Sequence, residues 1–261
     1  MALSDQMRLD RLGKFTASQF YRLMGGSAGY VTCDFTDEHV CYERVKGEDG
    51  FIYVPCETAP KGKKSWKRDN SFLPEGADTY VIEKATELLD SEQPEGYTSV
   101  AMQYGVDTEP LAIDAIQKHH GITLDCTGDN QYFFSDGKSG ATPDGVEYGD
   151  DGFTVVATHE VKCPIGTTHV FNCLKVVTAE NLEKHHPDYY WQVIGQLLHT
   201  GAKVGYWHSY RPTNATNPLH TVTILRDEAK ITALKHRINL ANDRKKQYLE
   251  NLRIKKHEQC I

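Results

Sequence analysis

The sequence predicts one α/β (α+β) domain in which a mixed central β-sheet is flanked by helices. Its 261 residues suit a single large domain. Hydrophobic residues make up 39% and charged residues 25%, as in ordinary globular proteins. The apolar spacing is helical up to about residue 119, becomes strand-like near residue 131, and then alternates between the two. We therefore expect residues 1–261 to form one domain.

The first half of the chain is predicted to be mainly helical. Residues 16–24 form a short helix, and residues 77–90 and 104–119 carry apolar side chains at helical spacing. Residues 27–75 are rich in glycine, aromatic and charged residues, and show only weak alternation at residues 50–55. We expect residues 27–75 to be an irregular insertion without a core of its own.

The second half alternates strands and helices. A turn at residues 148–152 connects the two strands of a predicted hairpin. Pro187 suits the first turn of a helix. In chain order, the predicted strands are 131–134, 140–148, 153–162, 203–210 and 219–225, and the predicted helices are 168–184, 187–200 and 227–256.

Charge and cysteine usage limit the classes of function. The formal net charge is −7, which argues against a general basic coat for nucleic acid but allows a local basic channel. Residues 61–68 and 226–261 are locally basic, and each is either a solvated surface or a DNA contact. We expect no membrane span and no secretory signal. Seven cysteines without CxxC spacing indicate reduced thiols in a cytoplasm.

A carboxylate and an acid–lysine pair mark one end of the predicted hairpin. Asp144 lies between a proline and a glycine, at a bend that exposes a short carboxylate, although an ordinary Pro-Asp-Gly turn also explains it. Glu160 and Lys162 flank Val161 at the end of an apolar strand, so the two share one face. Their burial is costly unless they form a salt bridge or bind a metal. Two carboxylates and the carbonyl of Val161 suit Mg²⁺, and Lys162 can then act on water or phosphate.

A third acidic candidate lies on an earlier helix. Glu109 is preceded by Asp107 and Thr108, either of which can cap a helix, and is followed by Pro110, which suits a first turn. A glutamate in a first turn also complements the helix dipole, so a purely structural role remains open.

A polar stripe is predicted on the helix at residues 187–200. Gln192, Gln196 and His199 are spaced i, i+4 and i+7, while the other faces of this helix are apolar. The amides on this stripe can hydrogen-bond a substrate backbone or a water molecule, or they cap a sheet edge.

The order of these motifs resembles the PD-(D/E)xK nuclease superfamily and, more narrowly, the phage lambda-type alkaline exonucleases, also described as YqaJ-like viral recombinases. The resemblance covers nearly the whole chain and implies a restriction-endonuclease-like core. The motifs that carry it begin at Arg11 (RLGKFTAS), Tyr104 (YGVDTEP), Thr142 (TPDG), Glu160 (EVKCP) and Tyr189 (YYWQVIGQ).

The resemblance implies a role for each acidic candidate. Asp144, Glu160 and the main-chain carbonyl of Val161 would bind Mg²⁺, with Mn²⁺ as a substitute. Lys162 would activate the attacking water. Glu109 would bind a second metal or position water.

The resemblance also implies contacts with the bound DNA end. Arg11 and Ser18 would lie near its 5′ phosphate. Thr142 stands where the family often has serine, so a hydroxyl is retained. The full set of implied DNA-binding residues is Arg11, Ser18, Thr142, Gln192 and Gln196.

The implied activity is a Mg²⁺-dependent 5′-to-3′ exonuclease on linear double-stranded DNA, which leaves 3′ single-stranded overhangs. The implied assembly is a homotrimeric ring, the implied partner is a phage-type single-strand annealing protein, and the implied compartment is the cytoplasm of a bacterial host. Two alternatives are an endonuclease of the same fold and a non-catalytic protein that binds DNA ends. The complete set of Asp144, Glu160 and Lys162 argues against the second.

A related class of nucleases carries an iron–sulfur cluster held by four cysteines. Cys33, Cys41 and Cys56 lie in the insertion, but their spacing is loose and no fourth cysteine is clustered with them. We therefore expect no such cluster in this chain.

Overall fold

The fold is given by a computed structural model, which describes residues 5–25, 30–36, 38–47, 50–68, 73, 75–90 and 99–258. Parts of the predicted insertion and the end of the basic tail (residues 259–261) lie outside the described residues. Within the described ranges, no helix has both the length and the apolar character needed to cross a membrane.

Eight α-helices lie within the described residues. In chain order they are α1 (Asp5–Arg11), α2 (Phe20–Met24), α3 (Glu75–Asp90), α4 (Val100–His120), α5 (Thr168–Lys175), α6 (Ala179–His185), α7 (Pro187–Thr200) and α8 (Glu228–Glu258). Short 3-10 helices occur at Ala17–Gln19 and Gly128–Asn130.

The strands of the described residues form three sheets. In chain order they are β1 (Phe15–Thr16), β2 (Tyr30–Cys33), β3 (Cys41–Gly47), β4 (Gly50–Pro55), β5 (Ser65–Arg68), β6 (Phe134–Ser135), β7 (Ser139–Ala141), β8 (Gly145–Tyr148), β9 (Val155–Lys162), β10 (Val204–Tyr210) and β11 (Leu219–Leu225).

The central sheet is mixed, which confirms the predicted fold class. Its strand order is β11-β10-β9-β8, with β9 and β10 parallel and the other pairs antiparallel. A parallel pair needs a crossover connection, and α5, α6 and α7 supply it. In the antiparallel β8–β9 pair, the start of β8 lies beside the end of β9, with Gly145 opposite His159.

The helix α7 packs directly on the central sheet. Its apolar face is buried, as the helical spacing predicts, and consists of Tyr190, Trp191, Val193, Ile194 and Leu197. At Gly195 a Cβ atom would lie 2.6 Å from the ring of Phe20 and 2.9 Å from Ala17. Only glycine permits this close approach of the N-terminal segment to α7.

A small sheet attaches the N-terminal segment to the strand that precedes Asp144. Its order is β1-β7-β6, and β1 is parallel to β7, with Phe15 beside Ser139. Phe15 is fully buried, and its ring packs edge-on against Tyr80 of α3 at 5.3 Å between centroids. Arg11 is thereby held close to this strand.

A buried polar network holds the turn after α1. Glu87 of α3 accepts a hydrogen bond from the Gly13 N–H at 2.9 Å and pairs with Lys84 at 2.6 Å. Lys245 of α8 donates a hydrogen bond to the Gly13 carbonyl. Glu87, Lys84 and Lys245 are all buried, so the Lys84–Glu87 ion pair and the hydrogen bonds to Gly13 are needed to offset the loss of hydration.

The predicted start of the helix at residues 104–119 was wrong. The helix α4 begins at Val100 and is capped by Ser99, whose hydroxyl accepts a hydrogen bond from the Met102 N–H at 3.2 Å. Asp107 and Thr108 therefore lie inside the helix, as does Pro110. A proline inside a helix removes one hydrogen bond, and here the long helix continues past it.

The helix predicted at residues 168–184 is in fact two helices. The helix α5 ends at Lys175, and Val176, which is fully buried, lies in the break. Thr178 then caps α6, since its hydroxyl accepts a hydrogen bond from the Asn181 N–H at 3.3 Å. A capping threonine favours a new helix start over continuation.

The insertion is not irregular as predicted, because its described part forms a four-stranded antiparallel sheet of order β2-β5-β3-β4. Few apolar side chains are buried in it. Phe51 and Ile52 on β4 are more than half exposed. Strands are recognised in a sequence by apolar residues that alternate because one face is buried. This sheet has almost no buried face, so the sequence carries no such alternation.

Candidate active site

The turn between β7 and β8 places Asp144 beside the end of β9. The Asp144 N–H donates to the carbonyl of His159 at 2.9 Å, and Asp144 Oδ2 accepts from the Val161 N–H at 2.7 Å. The first of these bonds joins two backbone groups and continues the β8–β9 pairing by one residue, while the second ties the Asp144 side chain to the backbone of β9. The carboxylate is fixed at the mouth of the hairpin, as the sequence predicted.

Glu160 lies at the centre of the site and is 1% exposed. Its Oε1 accepts from Lys162 Nζ at 2.5 Å, and its Oε2 accepts from the Gln196 side chain of α7. Both carboxylate oxygens therefore have partners, and the strand alternation puts Glu160 and Lys162 on one face as predicted.

Glu109 completes the acidic group from a different element. It projects from α4 into a cleft of about 420 Å³, whose walls also include Val161, Lys162, Cys163 and Tyr189. Glu109 is mid-helix, so the dipole explanation of this residue does not hold. Its position over the cleft favours a role in the site.

The three carboxylates interact electrostatically. Burial raises the pKa of Asp144 well above its ordinary value, and the negative charges of Glu160 and Glu109 raise it further, while Lys162 opposes them. The pKa of Glu109 is also raised, first by burial and then by Glu160. A buried cluster of like charges is the donor set that a divalent cation stabilises, and oxygen donors suit Mg²⁺.

Lys162 is positively charged in this site. Burial lowers its pKa, but Glu160 and Asp144 outweigh burial, and the net pKa is raised above the ordinary value. Its Nζ also lies 5.1 Å from the centroid of the Tyr189 ring. An ammonium of this kind donates hydrogen bonds and offsets negative charge, and it accepts no proton near neutral pH.

Arg11 and Thr142 are brought together across 131 residues of sequence. Arg11 Nη2 donates to Thr142 Oγ1 at 2.5 Å, and the guanidinium lies 5.4 Å from the centroid of the Phe133 ring. Its Nε is buried and has no hydrogen-bond partner among the described residues. Since Thr142 is two residues before Asp144, this guanidinium lies at the border of the acidic site.

The other predicted DNA-binding residues differ in position. Ser18 is exposed and has Thr16 as its neighbour, with 3.5 Å between the hydroxyls. Gln192 is half-buried on α7. Gln196 is fully buried behind Glu160, so it supports that carboxylate and does not reach DNA. The prediction for Gln196 is corrected accordingly.

The basic stretch at residues 61–68 lies on the inserted sheet. Lys63 forms an ion pair with Glu43, and Arg44 lies 5.0 Å from the centroid of the Trp66 ring. Trp66 also packs edge-on against Tyr53 at 5.4 Å. DNA contact by this stretch stays a prediction.

Sequence reasoning missed two neighbours of the acidic group. Gln131 Nε2 donates to Asp144 Oδ1 at 3.3 Å, from a loop 13 residues earlier. The thiol of Cys163 borders the cleft, and burial, followed by the charges of Glu109 and Asp144, raises its pKa to about 12. Cys163 therefore remains a neutral thiol. Its position directly after Lys162 was the available signal.

A mixed sheet whose edge carries an Asp and a Glu-x-Lys strand end, with a further glutamate from a helix, defines a nuclease of the PD-(D/E)xK class. Residues 75–203 match the model of the YqaJ-like viral recombinase domain. The chain therefore carries a YqaJ-like viral recombinase domain over residues 75–203, the family that its motifs predicted.

Solved structures with the same fold extend over almost the whole chain. The alkaline exonuclease LHK-Exo from Laribacter hongkongensis, with two matching structures of which one is in complex with dAMP, has a TM-score of 0.66 and 20% identity, covering 98% of this chain and 100% of that one. A phage-related exonuclease from Haemophilus somnus 129PT has a TM-score of 0.59 and 14% identity, covering 92% of this chain and 96% of that one. Comparison with curated proteins gives no match.

Proposed function

We propose that this chain is a Mg²⁺-dependent exonuclease that digests one strand of linear double-stranded DNA from its 5′ end and leaves a 3′ single-stranded overhang. The observation that carries the proposal is the convergence of Glu109, Asp144 and Glu160 beside Lys162, with Glu109 and Lys162 lining an open cleft. The recombinase family supports the same reading.

The donor set fits a divalent cation. Asp144, Glu160 and the carbonyl of Val161 would hold the first Mg²⁺ ion, and Glu109 would hold a second ion or a water molecule; Mn²⁺ would serve as a substitute. A bound ion supplies Lewis-acid stabilisation of the phosphate and lowers the pKa of a coordinated water. The raised pKa values of Asp144 and Glu109 support this assignment, because burial and mutual repulsion disfavour the charged carboxylates and a bound cation would offset both effects.

Other residues of the chain would bind the DNA or position the groups that react. Lys162, as an ammonium, offsets charge on the scissile phosphate and orients the water, while Gln196 fixes the rotamer of Glu160. Arg11 presents a planar guanidinium that suits a terminal 5′ phosphate, and Thr142 orients it. Ser18 and Gln192 would contact the DNA backbone nearby.

An exonuclease is favoured over an endonuclease by one further observation. LHK-Exo, which shares this fold, is solved with dAMP, and a deoxynucleoside monophosphate is the chemical form of product that an exonuclease releases.

We further propose that the chain forms a homotrimeric ring around DNA, that its partner is a single-strand annealing protein, and that it acts in the cytoplasm of a bacterial host. Only the inner wall of such a ring must be basic to bind DNA, so the net charge of −7 is compatible with a ring.

The decisive experiment uses linear duplex DNA with a 5′ phosphate at one end and a 5′ hydroxyl at the other, with Mg²⁺ or with chelator. We expect Mg²⁺-dependent release of mononucleotides, faster from the phosphorylated 5′ end, and no cleavage of circular plasmid. Cleavage of the circle would instead indicate an endonuclease. Binding of ends without cleavage in either Mg²⁺ or Mn²⁺ would reject the catalytic proposal.

A further inference from the structure

A second group of metal-binding side chains lies in the inserted sheet. Cys33 is the last residue of β2, Cys41 is the first residue of β3, and His39 lies in the connection just before β3. One ligand atom from each of these residues lies within 4.8 Å of the others. Two thiols and an imidazole so grouped match the ligand chemistry of zinc.

The imidazole of His39 has an unexplained buried nitrogen. Its Nε2 is buried and has no hydrogen-bond partner among the residues that the structure describes. A buried polar atom without a partner costs free energy. Nε2 is also the atom through which histidine commonly binds a metal, so a bound cation would account for it.

Cys56 lies opposite Cys41 across the β3–β4 pair. The strand register joins Tyr42 to Pro55, and the next backbone bond runs from the Cys56 N–H to the Cys41 carbonyl at 2.9 Å. Residues directly opposite on antiparallel strands place their side chains on the same face, with Cβ atoms about 5 Å apart. Cys56 is therefore available as a fourth ligand.

The inserted sheet lacks the core that normally stabilises such a unit. Among the residues of 30–36, 38–47 and 50–68 whose burial the structure describes, only Cys41 and Ser65 are buried. The apolar side chains of Phe51, Ile52 and Val54 are exposed. A segment of this size that buries so little apolar surface usually needs a metal or a disulfide to hold its strands.

We propose that Cys33, His39, Cys41 and Cys56 bind a structural Zn²⁺ ion that holds the inserted sheet. Three thiolates and one imidazole form a standard closed zinc site, and binding releases the thiol protons to solvent. The ion connects the ends of β2 and β4 to the start of β3. Cysteine spacing alone does not indicate this site, because one of its four ligands is the histidine His39.

Metal content tests the proposal directly. We expect the full chain, purified without chelator and without a histidine tag, to contain about one zinc ion by mass spectrometry. Cys33→Ser, Cys41→Ser and Cys56→Ser should each retain less than roughly a tenth of it. Cys126→Ser, at a cysteine outside the insertion, and Asp144→Asn, in the acidic cleft, should retain it fully.

Two further measurements separate ligand loss from misfolding. His39→Cys, which restores a thiolate ligand, should keep the zinc that His39→Ala loses. Cobalt added to the metal-free wild-type chain should give thiolate-to-metal absorption bands and the visible bands of tetrahedral cobalt. Wild-type protein that takes up neither zinc nor cobalt, or full zinc content in Cys33→Ser and Cys41→Ser, would overturn the proposal. Full zinc content in Cys56→Ser alone would overturn the assignment of the fourth ligand.

Discussion

The side-chain amide of Gln196 donates a hydrogen bond to Glu160 from a helix 36 residues further along the chain. Gln196 is fully buried, so this bond fixes the glutamate from behind while Lys162 contacts it from the open side. A carboxylate held on both of its oxygens has one orientation. The helix α7 therefore positions the acidic centre without contributing a ligand to it.

We expect Gln196→Ala to weaken Mg²⁺ activation. Loss of the amide frees the rotamer of Glu160, and the loss of such a supporting contact typically costs 10–100-fold in metal affinity or activity. The measurement is the Mg²⁺ concentration for half-maximal digestion, compared with the maximal rate at saturating Mg²⁺. Gln192→Ala, one turn earlier on the same helix, is the matched control and should leave the Mg²⁺ requirement unchanged. Equal Mg²⁺ requirements for wild type and Gln196→Ala would contradict the positioning role.

We expect Asp144→Asn to lose activity and to gain stability when no divalent cation is present. The pKa of Asp144 is raised in the folded state, so the folded protein binds more protons than the unfolded chain above the ordinary pKa of aspartate. The unfolding free energy of the wild type therefore falls as pH rises from the ordinary pKa of aspartate to the raised pKa of Asp144. The uncharged amide of Asp144→Asn removes this loss. Digestion should fall by more than about 100-fold.

Thermal unfolding at several pH values checks the second half of this prediction. In chelator, Asp144→Asn should melt a few degrees above wild type at neutral pH, since about 1 kcal/mol corresponds to roughly 2–4 °C in a chain of this size. Added Mg²⁺ should stabilise wild type and have little effect on the variant. A lower melting temperature for Asp144→Asn in chelator would show that its hydrogen bond to Val161 outweighs the charge repulsion.

Arg11→Ala should discriminate between DNA ends. The guanidinium that contacts Thr142 offers two parallel donors to a terminal phosphate, and each charge-assisted hydrogen bond contributes on the order of 1.5–3 kcal/mol. We expect digestion of 5′-phosphorylated ends to slow by at least about tenfold, with a much smaller effect on 5′-hydroxyl ends. Arg11→Lys should recover part of the rate. Equal slowing on both substrates would indicate general backbone binding by Arg11.

Acid should destabilise the fold through His199. Burial lowers the pKa of His199 to about 4, although the nearby Asp136 opposes this shift. Between about pH 6.5 and 4 the unfolded chain binds a proton that the folded chain does not, so the unfolding free energy falls as pH is lowered through this range. The loss attributable to this group is on the order of 2 kcal/mol.

Denaturant unfolding at pH 7, 6, 5 and 4 measures this dependence. His199→Gln retains a polar group near Ser139, which lies 3.1 Å from His199 Nε2, and should flatten the decline between pH 6.5 and 4. His185→Gln, at an exposed position on α6, is the control and should keep the wild-type decline. Identical pH profiles for wild type and His199→Gln would reject the assignment.

Sequence patterns predicted the central sheet and the helix α7 best, because each of these elements buries a regular face. The helix at Pro187–Thr200 and the strand at Leu219–Leu225 occur at the predicted residues. The hairpin of β8 and β9 was also anticipated, since turn residues and strand alternation are local signals, but the strand predicted at residues 140–148 is two strands, β7 and β8, in different sheets.

The errors have physical causes in particular residues. Pro110 mimicked a helix start, while the real cap, Ser99, lies eleven residues before it. The inserted sheet has no buried face for a periodic pattern to reveal. The support of Glu160 by Gln196 and of Asp144 by Gln131 depends on contacts between separate elements, which spacing along one chain does not encode.

The parallel pairing of β9 with β10 has a consequence for the order of events during synthesis. Asp144, Glu160 and Lys162 belong to a hairpin that can form from neighbouring residues, but Gln196 and the flanking strand β10 are translated later. Contacts of high sequence separation form slowly because the intervening loop must first be closed. A nascent chain that ends before residue 187 therefore holds the acidic and lysine side chains without the helix that orients them. Catalytic competence should thus arrive late in translation, after most of the chain has left the ribosome.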